Sequence, residues 1–264
     1  MQSKITLAIL AFFLAAPAFA DGGGATAARG MYFGLLVGGG THSGGDVTQR
    51  GTAYFVEANG GPLAVDATGK TDSSNVGLFG AQIGHEWSRG RMLAAVELEG
   101  LYLPGRTQHA KLQNNASPGR LDEQTFDDSF NTKSAVLLGN LVFSFPMQDS
   151  GLTPYVGAGF GLARVGVTGA NSAQVNPTEP GINHFNSGTD SSAWTFATQV
   201  KAGARYALGD NAYLFGELRY LYVDAVEQNF GSTVYPTHAA TSDWKVRFDG
   251  ASYYLATIGI GLSF

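Results

Sequence analysis

The chain has 264 residues, with 16 lysines and arginines against 21 aspartates and glutamates, and its net charge at pH 7 is −5. A negative balance without basic clusters argues against nucleic acid as a partner. The absence of cysteine excludes disulfides, thiolate zinc sites and a lipid-modified amino-terminal cysteine.

The composition favours an all-β protein. The chain contains 37 glycines, 17 phenylalanines and 11 tyrosines, and only 14% of its residues are charged. Glycine at this level disfavours long helices. Beyond the amino terminus, no segment has the roughly 20 consecutive apolar residues that a membrane helix requires. The length is ordinary for a single all-β domain.

The amino terminus predicts export. It combines Lys4, an apolar run over Ile5–Ala16 and a small-residue site that ends at Ala20. This pattern is typical of a secretory signal peptide that is cleaved after Ala20. The predicted organisation is a signal peptide over 1–20, a flexible glycine-rich lead over 21–30 and one β domain over 31–264.

Eight segments of the β domain alternate between apolar and small or polar residues with the period of two of a β-strand. The predicted strands are 31–40, 75–87, 92–103, 132–145, 152–168, 193–208, 212–223 and 251–264. Long connections are predicted over 41–74, 104–131, 169–192 and 225–247, with a strand extension around Thr52–Val56 in the first. The other three connections are short turns.

The strict alternation of long and short connections predicts a transmembrane antiparallel up-and-down β-barrel. Outer-membrane barrels have an even number of strands, short periplasmic turns and longer extracellular loops. An even number places both termini on the periplasmic side, so the first connection is extracellular, and here it is the longest. A soluble periplasmic barrel is the alternative, but its strands would face apolar residues inward, the reverse of 193–208 and 212–223.

The last strand supports the membrane interpretation. Its apolar face ends on an aromatic carboxyl terminus, while the opposite face is thinned by Gly259 and Gly261. Its length and its aromatic ends suit a transmembrane strand. We expect it to pair with 31–40 and close the barrel. The residues expected to act as an assembly signal for the barrel-assembly machinery are Tyr254, Ile260, Leu262 and Phe264.

With these features, the chain resembles the OmpA-like and opacity-type (porin-family) eight-stranded outer-membrane β-barrels. The resemblance is carried by the signal peptide, PYVGAGFG at Pro154–Gly161, YLFGELRYLYV at Tyr213–Val223 and the terminal aromatic strand. It implies insertion among outer-membrane lipids and lipopolysaccharide, surface display, and in some members adhesion or immune exposure. We expect none of the peptidoglycan-binding domain that some members carry, because the barrel pattern runs to Phe264.

Charged side chains on the inward faces form the first candidate site. The interior of an eight-stranded barrel is just wide enough for side chains to fill, so charges there must pair. We expect a salt-bridge network that fills the lumen, with inward glycines leaving room for the long lysine and arginine side chains. The alternative is a narrow ion pathway, which would make the protein a small porin-like channel. The residues are Glu86, Glu97, Glu99, Lys201, Arg205, Glu217 and Arg219.

The glycine-rich run Gly157–Gly161 is not a dinucleotide-binding fingerprint. Leu162 stands where the third glycine of the fingerprint belongs, and no helical pattern follows. No cofactor is therefore predicted.

Four histidines, one in each long connection, are predicted at one end of the barrel. Imidazole is the commonest metal ligand, so a composite metal site is conceivable. Without fixed spacing we expect solvated histidines and no metal. They are His42, His109, His184 and His238.

Two residue pairs suggest enzymes, and we favour neither. Asp127 and Asp128 resemble the paired acids of an outer-membrane protease, but adjacent residues of an extended chain point apart. His85 and Ser88 are candidates for a lipid A deacylase, but His85 is expected on the lipid side next to Trp87.

The predicted function is therefore non-enzymatic: envelope integrity, adhesion or display of a surface antigen. Aromatic residues in the long connections fit contact with an extracellular ligand or host surface, because aromatic side chains dominate interface anchors. They fit equally well the packing of the connections on one another. These residues are Tyr54, Phe55, Phe126, Phe130, Phe185, Phe230 and Tyr235.

Overall fold

The computed structural model describes residues 30–89, 91–114, 124–147 and 150–264. The predicted signal peptide and most of the lead lie outside these residues. The strands are β1 (Met31–His42), β2 (Asp46–Tyr54), β3 (Pro62–Thr71), β4 (Ser74–Arg89), β5 (Met92–Asn114), β6 (Thr125–Ser144), β7 (Leu152–Asn176), β8 (Ser191–Ala207), β9 (Ala212–Val223), β10 (Val226–Phe230), β11 (Trp244–Phe248) and β12 (Ala251–Ser263). Among the described residues, no helix is both long and apolar enough to cross a membrane.

Eight of the strands form a closed antiparallel ring in the order β1, β4, β5, β6, β7, β8, β9 and β12. The ring closes where β12 pairs with β1, from Tyr32 opposite Ser263 to His42 opposite Tyr253. Because each ring strand is paired on both sides, the ring has no free edge. The predicted all-β up-and-down barrel and its closure by the last strand are confirmed.

The outside of the ring is apolar. Leu35, Phe160, Leu218 and Ile258 all point outward, and between half and three quarters of each is exposed. Their neighbours in sequence point inward, because successive side chains of a strand alternate between its faces. Such a band suits contact with lipid and would be unstable against water.

The long connections, predicted as loops apart from a strand extension around Thr52–Val56, are largely folded into strands, and β2 overlaps that extension. β5 continues to Asn114, β6 begins at Thr125 and β7 continues to Asn176. β2, β3, β10 and β11 are additional strands. Outside the apolar band a strand faces water on its outer side. The outward side chains of the β5 extension are accordingly polar, as at His109 and Lys111. The alternating pattern of a membrane strand is therefore absent from this extension.

These elements build a second tier on the ring. The order across it is β10, β11, β2, β3, β5, β6 and β7. The β7–β8 connection (177–190) bridges β7 and the residues after β10, because Ala170 N–H donates to Thr189 O and Gly231 N–H donates to Gly188 O. We call this tier the cap; it consists of the four additional strands, the outer ends of β5–β7 and their connections.

Two apolar clusters fill the outer part of the molecule. One lies within the ring and includes Leu103, Leu138 and Leu221. The other is the core of the cap, and Phe248 packs against both. The cap core consists of Val47, Val65, Ala67, Ala110, Leu112, Phe126, Phe130, Val167, Ala170, Phe185, Phe230, Trp244 and Val246.

Candidate functional site

The structure brings all seven predicted lumen charges together inside the ring. They occupy inward positions of four strands: β4, β5, β8 and β9. None is more than 7% exposed. They are Glu86, Glu97, Glu99, Lys201, Arg205, Glu217 and Arg219.

Two cations sit among three carboxylates at the centre of the network. Lys201 Nζ lies 2.7 Å from Glu97 Oε1, 3.2 Å from Glu217 Oε1 and 3.7 Å from Glu99 Oε1. The Arg219 guanidinium contacts Glu99 Oε1 at 2.9 Å and also pairs with Glu217. Each carboxylate therefore has a cationic partner, which buried charges require.

Neutral hydrogen-bond donors also contact the three carboxylates of this network. Tyr32 Oη donates to Glu97 Oε2 at 2.9 Å, and Tyr155 Oη donates to Glu217 Oε1 at 2.8 Å. Asn140 Nδ2 donates to Glu97 Oε1 at 2.8 Å. These donors offset the excess of carboxylates over cations. They were missed in the sequence, where they appear only as polar residues on inward faces.

Arg205 forms a separate group nearer the periplasmic end. Its Nη1 lies 2.9 Å from Glu86 Oε2. Its guanidinium carbon lies 4.6, 5.0 and 5.4 Å from the ring centres of Tyr32, Tyr155 and Tyr213. A guanidinium at such distances is attracted by the faces of the rings.

Several inward glycines make room for aromatic rings, while Gly157 lies against Lys201 as expected, since a Cβ there would lie 3.3 Å from Lys201 Cγ. Tyr155 pairs with Gly203 on the neighbouring strand. A Cβ on Gly203 would lie 2.9 Å from Tyr155 Oη and 2.3 Å from Gly216 O. In the same way, the ring of Tyr213 covers its cross-strand partner Gly261.

Two small cavities open beside this packing. A cavity of about 110 Å³ lies at the periplasmic end beside Glu86, Arg205 and Tyr213. One of about 40 Å³ lies below the cap beside His42 and Phe248. A larger apolar depression lies on the lipid-facing outside of the ring, beside Leu141, Val156, Val200, Leu218 and Tyr254.

A second cluster of ionisable side chains lies in the cap. Glu179 and His184 belong to the β7–β8 connection, and His238 belongs to the β10–β11 connection. The Nε2 atoms of both histidines lie 3.3 Å from Glu179 Oε2. Hydrogen bonding to the two rings lowers the pKa of Glu179 to about 2, and the carboxylate raises the pKa of His238. Within the described part of the chain, these three residues are the candidate metal ligands.

The expectation that the four histidines are solvated was wrong for His42 and His184, and the His238 side chain is only 14% exposed. His184 is 2% exposed, and its ring packs against Phe126. His42 is buried beside Tyr253. His109 is exposed, as expected.

Comparison with known proteins agrees with the architecture. The model of the family described as "Outer membrane protein beta-barrel domain" matches residues 6–263. The chain belongs to this family of outer-membrane β-barrels. No curated protein sequence matches the chain.

Solved structures of outer-membrane barrels are similar to this barrel at low sequence identity. Neisserial surface protein A is 15% identical, with 90% of this chain and 100% of that chain covered and a TM-score of 0.36. OprG from Pseudomonas aeruginosa is 17% identical, with 89% and 97% covered and a TM-score of 0.43. The outer membrane protease OmpT from Escherichia coli is 11% identical, with 88% and 97% covered and a TM-score of 0.45.

The barrel separates the residue pairs that suggested enzymes. Asp128 points inward and is fully buried, while Asp127 lies on the opposite face of β6. Burial raises the pKa of the Asp128 carboxyl, which lies outside the apolar band, to about 8. His85 is exposed on the lipid side, with its ring stacked on Trp87 at 6.2 Å. Ser88, three positions further on, lies on the opposite face of the strand.

Most of the aromatic residues of the barrel's long connections pack on one another. Phe126, Phe130, Phe185 and Phe230 are at most 2% exposed and lie in the cap core. Of the two interpretations of these residues, mutual packing therefore applies to these four. Tyr54 remains 51% exposed.

The proposed assembly-signal residues all lie on the outer face of β12 or directly after it. They are between 44% and 73% exposed. They are Tyr254, Ile260, Leu262 and Phe264.

Proposed function

We propose that this outer-membrane barrel is a closed, non-enzymatic barrel that presents a folded cap at the cell surface. Its role would be in envelope integrity, adhesion or display of a surface antigen. The observation that carries the proposal is the filling of the lumen by side chains at successive levels. The charged network lies nearer the periplasmic end, apolar side chains such as Leu101, Leu103 and Leu221 lie towards the cap, and the cap core lies above them.

The lumen packing favours a structural role over conduction. Lys201 and Arg219 are held by two or more carboxylates each, and both are 4% exposed. An ion passing through would have to displace these paired side chains and then cross an apolar layer, where it would lose its hydration. We therefore expect no stable conductance.

Planar-bilayer recording tests the closed lumen. The purified protein, shown to be folded by its heat-modifiable migration on gels, should produce no discrete current steps. Discrete steps whose size changes in Glu97→Gln would overturn the proposal and establish the porin-like alternative. Turnover of lipid A or peptide substrates by the same preparation would establish an enzyme instead.

The cap is suited to surface contact because it is a packed unit. A cluster of its apolar side chains forms its own core, and its outer side carries exposed charged side chains such as Lys70 and Lys245. A preorganised surface loses little conformational entropy on binding a partner. The partner would be an extracellular ligand or host surface, and outer-membrane lipids and lipopolysaccharide would surround the apolar band.

Tag insertion tests the orientation that this role requires. An epitope inserted after Asn59, in the exposed turn between β2 and β3, should be labelled on intact cells. The matched control carries the epitope after Asp210, in the short β8–β9 turn, and should be labelled only after permeabilisation. The reverse result would place the cap in the periplasm and exclude surface contact.

Export and assembly complete the proposal. The signal peptide would be removed after Ala20, and the outward residues of β12 would be read by the barrel-assembly machinery. Mass spectrometry of the mature protein should find Asp21 at its amino terminus. Phe264→Ser should lower the folded fraction in outer membranes more than Val234→Ser, which changes a similarly exposed residue of the cap.

A further inference from the structure

The cluster of Glu179, His184 and His238 lies outside the lumen and has no part in closing it. It joins two connections of the cap, and His184 and His238 are 54 positions apart in sequence. The three candidate ligand atoms all lie within 4.8 Å of one another. The exposed fractions of the side chains are 33% for Glu179, 3% for His184 and 14% for His238. An ion could therefore reach the cluster from outside while most of the site stays dry.

The hydrogen bonds of both rings determine which nitrogen carries the proton. His184 Nδ1 lies 2.9 Å from Ser172 O, and His238 Nδ1 lies 2.6 Å from Ala239 O. A carbonyl oxygen can only accept, so each Nδ1 must be protonated and donate. In the neutral rings each Nε2 then carries a lone pair. Such Nδ1–H bonds to backbone carbonyls are the usual outer-shell contacts of metal-bound histidine.

The lone pairs of the two Nε2 atoms converge on a carboxylate oxygen. Glu179 Oε2 is buried and has no hydrogen-bond partner apart from its contacts with the two rings. Three acceptors that face one another repel unless a positive charge lies between them. A cation bound between the three atoms would remove this repulsion.

The spacing fits a tetrahedral metal ion. Both Nε2 to Oε2 distances are 3.3 Å. With metal–ligand bonds of about 2.0–2.1 Å, the edge of a ligand tetrahedron around zinc is about 3.3 Å. The remaining edge, between the two Nε2 atoms, is at most 4.8 Å. His238 is the more exposed of the two rings and can turn to shorten it.

The backbone around His184 is held in place from several sides. Its N–H donates to Ser172 O, and its carbonyl accepts from Thr233 Oγ1 at 2.9 Å. The same hydroxyl accepts from Trp244 Nε1 at 3.2 Å. Ligands held in this way lose little entropy when a metal binds.

We propose that the cap binds one divalent transition-metal ion, of which Zn²⁺ is the best match, through Glu179 Oε2, His184 Nε2 and His238 Nε2. Two imidazoles and one carboxylate suit zinc and leave a fourth position for water or for an exogenous ligand. The ion would link the β7–β8 connection to the β10–β11 connection at the cell surface. The proposal does not depend on the closed lumen.

Zinc titration of the whole protein in detergent tests the site. The protein should carry a purification tag without histidine, be stripped with a chelator and compete for Zn²⁺ with a chromophoric chelator. We expect one ion per chain. Loss of an outer-shell partner alone typically weakens metal affinity about 10–100-fold. Loss of a direct ligand should cost at least as much, so we expect His238→Gln to weaken binding at least about 100-fold and Glu179→Gln, which keeps the shape of the side chain, at least about 10-fold. The matched control His109→Gln changes an exposed histidine of the cap and should bind as the wild type does.

Two further measurements keep the result interpretable. Heat-modifiable migration of each variant shows that the barrel is folded, so that weak binding is not the result of misfolding. Co²⁺ in place of Zn²⁺ should give the intense visible absorption of a tetrahedral site, and this absorption should be absent in His238→Gln. Equal zinc binding by the wild type and by folded His238→Gln would overturn the proposal. No binding by the wild type would also overturn it.

Discussion

Replacement of Lys201 by methionine is the most direct test of the lumen network. Methionine is unbranched and of similar length, so Lys201→Met removes the charge without opening a large cavity. The wild-type ammonium lies within 3.7 Å of carboxylate oxygens from Glu97, Glu99 and Glu217. In the variant, these three carboxylates would share only Arg219 at the centre of the network.

The expected loss follows from burial. Lys201 and the three carboxylates are each at most 4% exposed, so water cannot replace the missing partner. Removal of one partner from a buried ion pair typically costs about 3–5 kcal/mol. A loss of about 3 kcal/mol is a fall of roughly 100-fold in the folding equilibrium constant. We therefore expect Lys201→Met to lower the free energy of unfolding by at least about 3 kcal/mol.

Urea unfolding in detergent micelles, followed by heat-modifiable migration on gels, measures this loss. Lys70→Met is the matched control because it breaks a surface pair with Asp46 whose side chains are 81% and 59% exposed. Exposed pairs contribute at most about 1 kcal/mol, so the control should change little. Adding Glu97→Gln to Lys201→Met removes one orphaned charge and should restore part of the loss. Unfolding of Lys201→Met within about 1 kcal/mol of the wild type would refute the electrostatic account.

Three further changes test other parts of the molecule. Gly203→Ala should destabilise the barrel by about 1–3 kcal/mol, because its Cβ would lie 2.3 Å from Gly216 O. The Cβ of the control Gly100→Ala would meet nothing within 4 Å, so this variant should be neutral in the same urea assay. Equal stability of the two variants would contradict the close packing at Gly203. Burial raises the pKa of Asp128 from 3.8 to about 8. Between about pH 4 and pH 8 the native state therefore keeps a proton that the unfolded state releases, so the free energy of unfolding should fall as the pH rises through this range. Asp128→Asn should remove this slope when urea midpoints are compared at pH 5 and pH 9, and an unchanged slope would show that another group is responsible. Phe185→Ala empties a fully buried position of the cap core and should cost about 3–5 kcal/mol of packing. It should speed proteolysis of the cap while the heat-modifiable migration of the barrel is retained, and wild-type resistance would show that the cap does not depend on this core.

The membrane-spanning ring could be predicted because lipid imposes a simple rule on each strand. Apolar side chains such as Leu218 and Ile258 must alternate with inward residues, and this pattern is readable without knowledge of the neighbouring strands. The pairing of β12 with β1 then follows from closure, since a membrane barrel cannot leave an edge unpaired. Helix or strand propensity alone would not have predicted that the strands close into a ring.

The cap could not be predicted in the same way. Its strands face water on one side and a small core on the other, so their pattern resembles that of polar loops, as in β2 and β3. Phe130 and Phe185 are 55 positions apart, and only their tertiary contact reveals a core. Strand register in the lumen could not be predicted either, and only the structure shows that Tyr155 pairs with Gly203.

The sequence by itself determined that the chain forms a closed transmembrane barrel and which residues face its lumen, because alternation and connection length are local properties of the chain. Tertiary structure alone decided how those charges pair, that the long connections fold into a cap, and that His184 and His238 meet at Glu179. These contacts join distant segments of the chain. Their formation depends on strand register and on the packing of connections, which no single segment encodes.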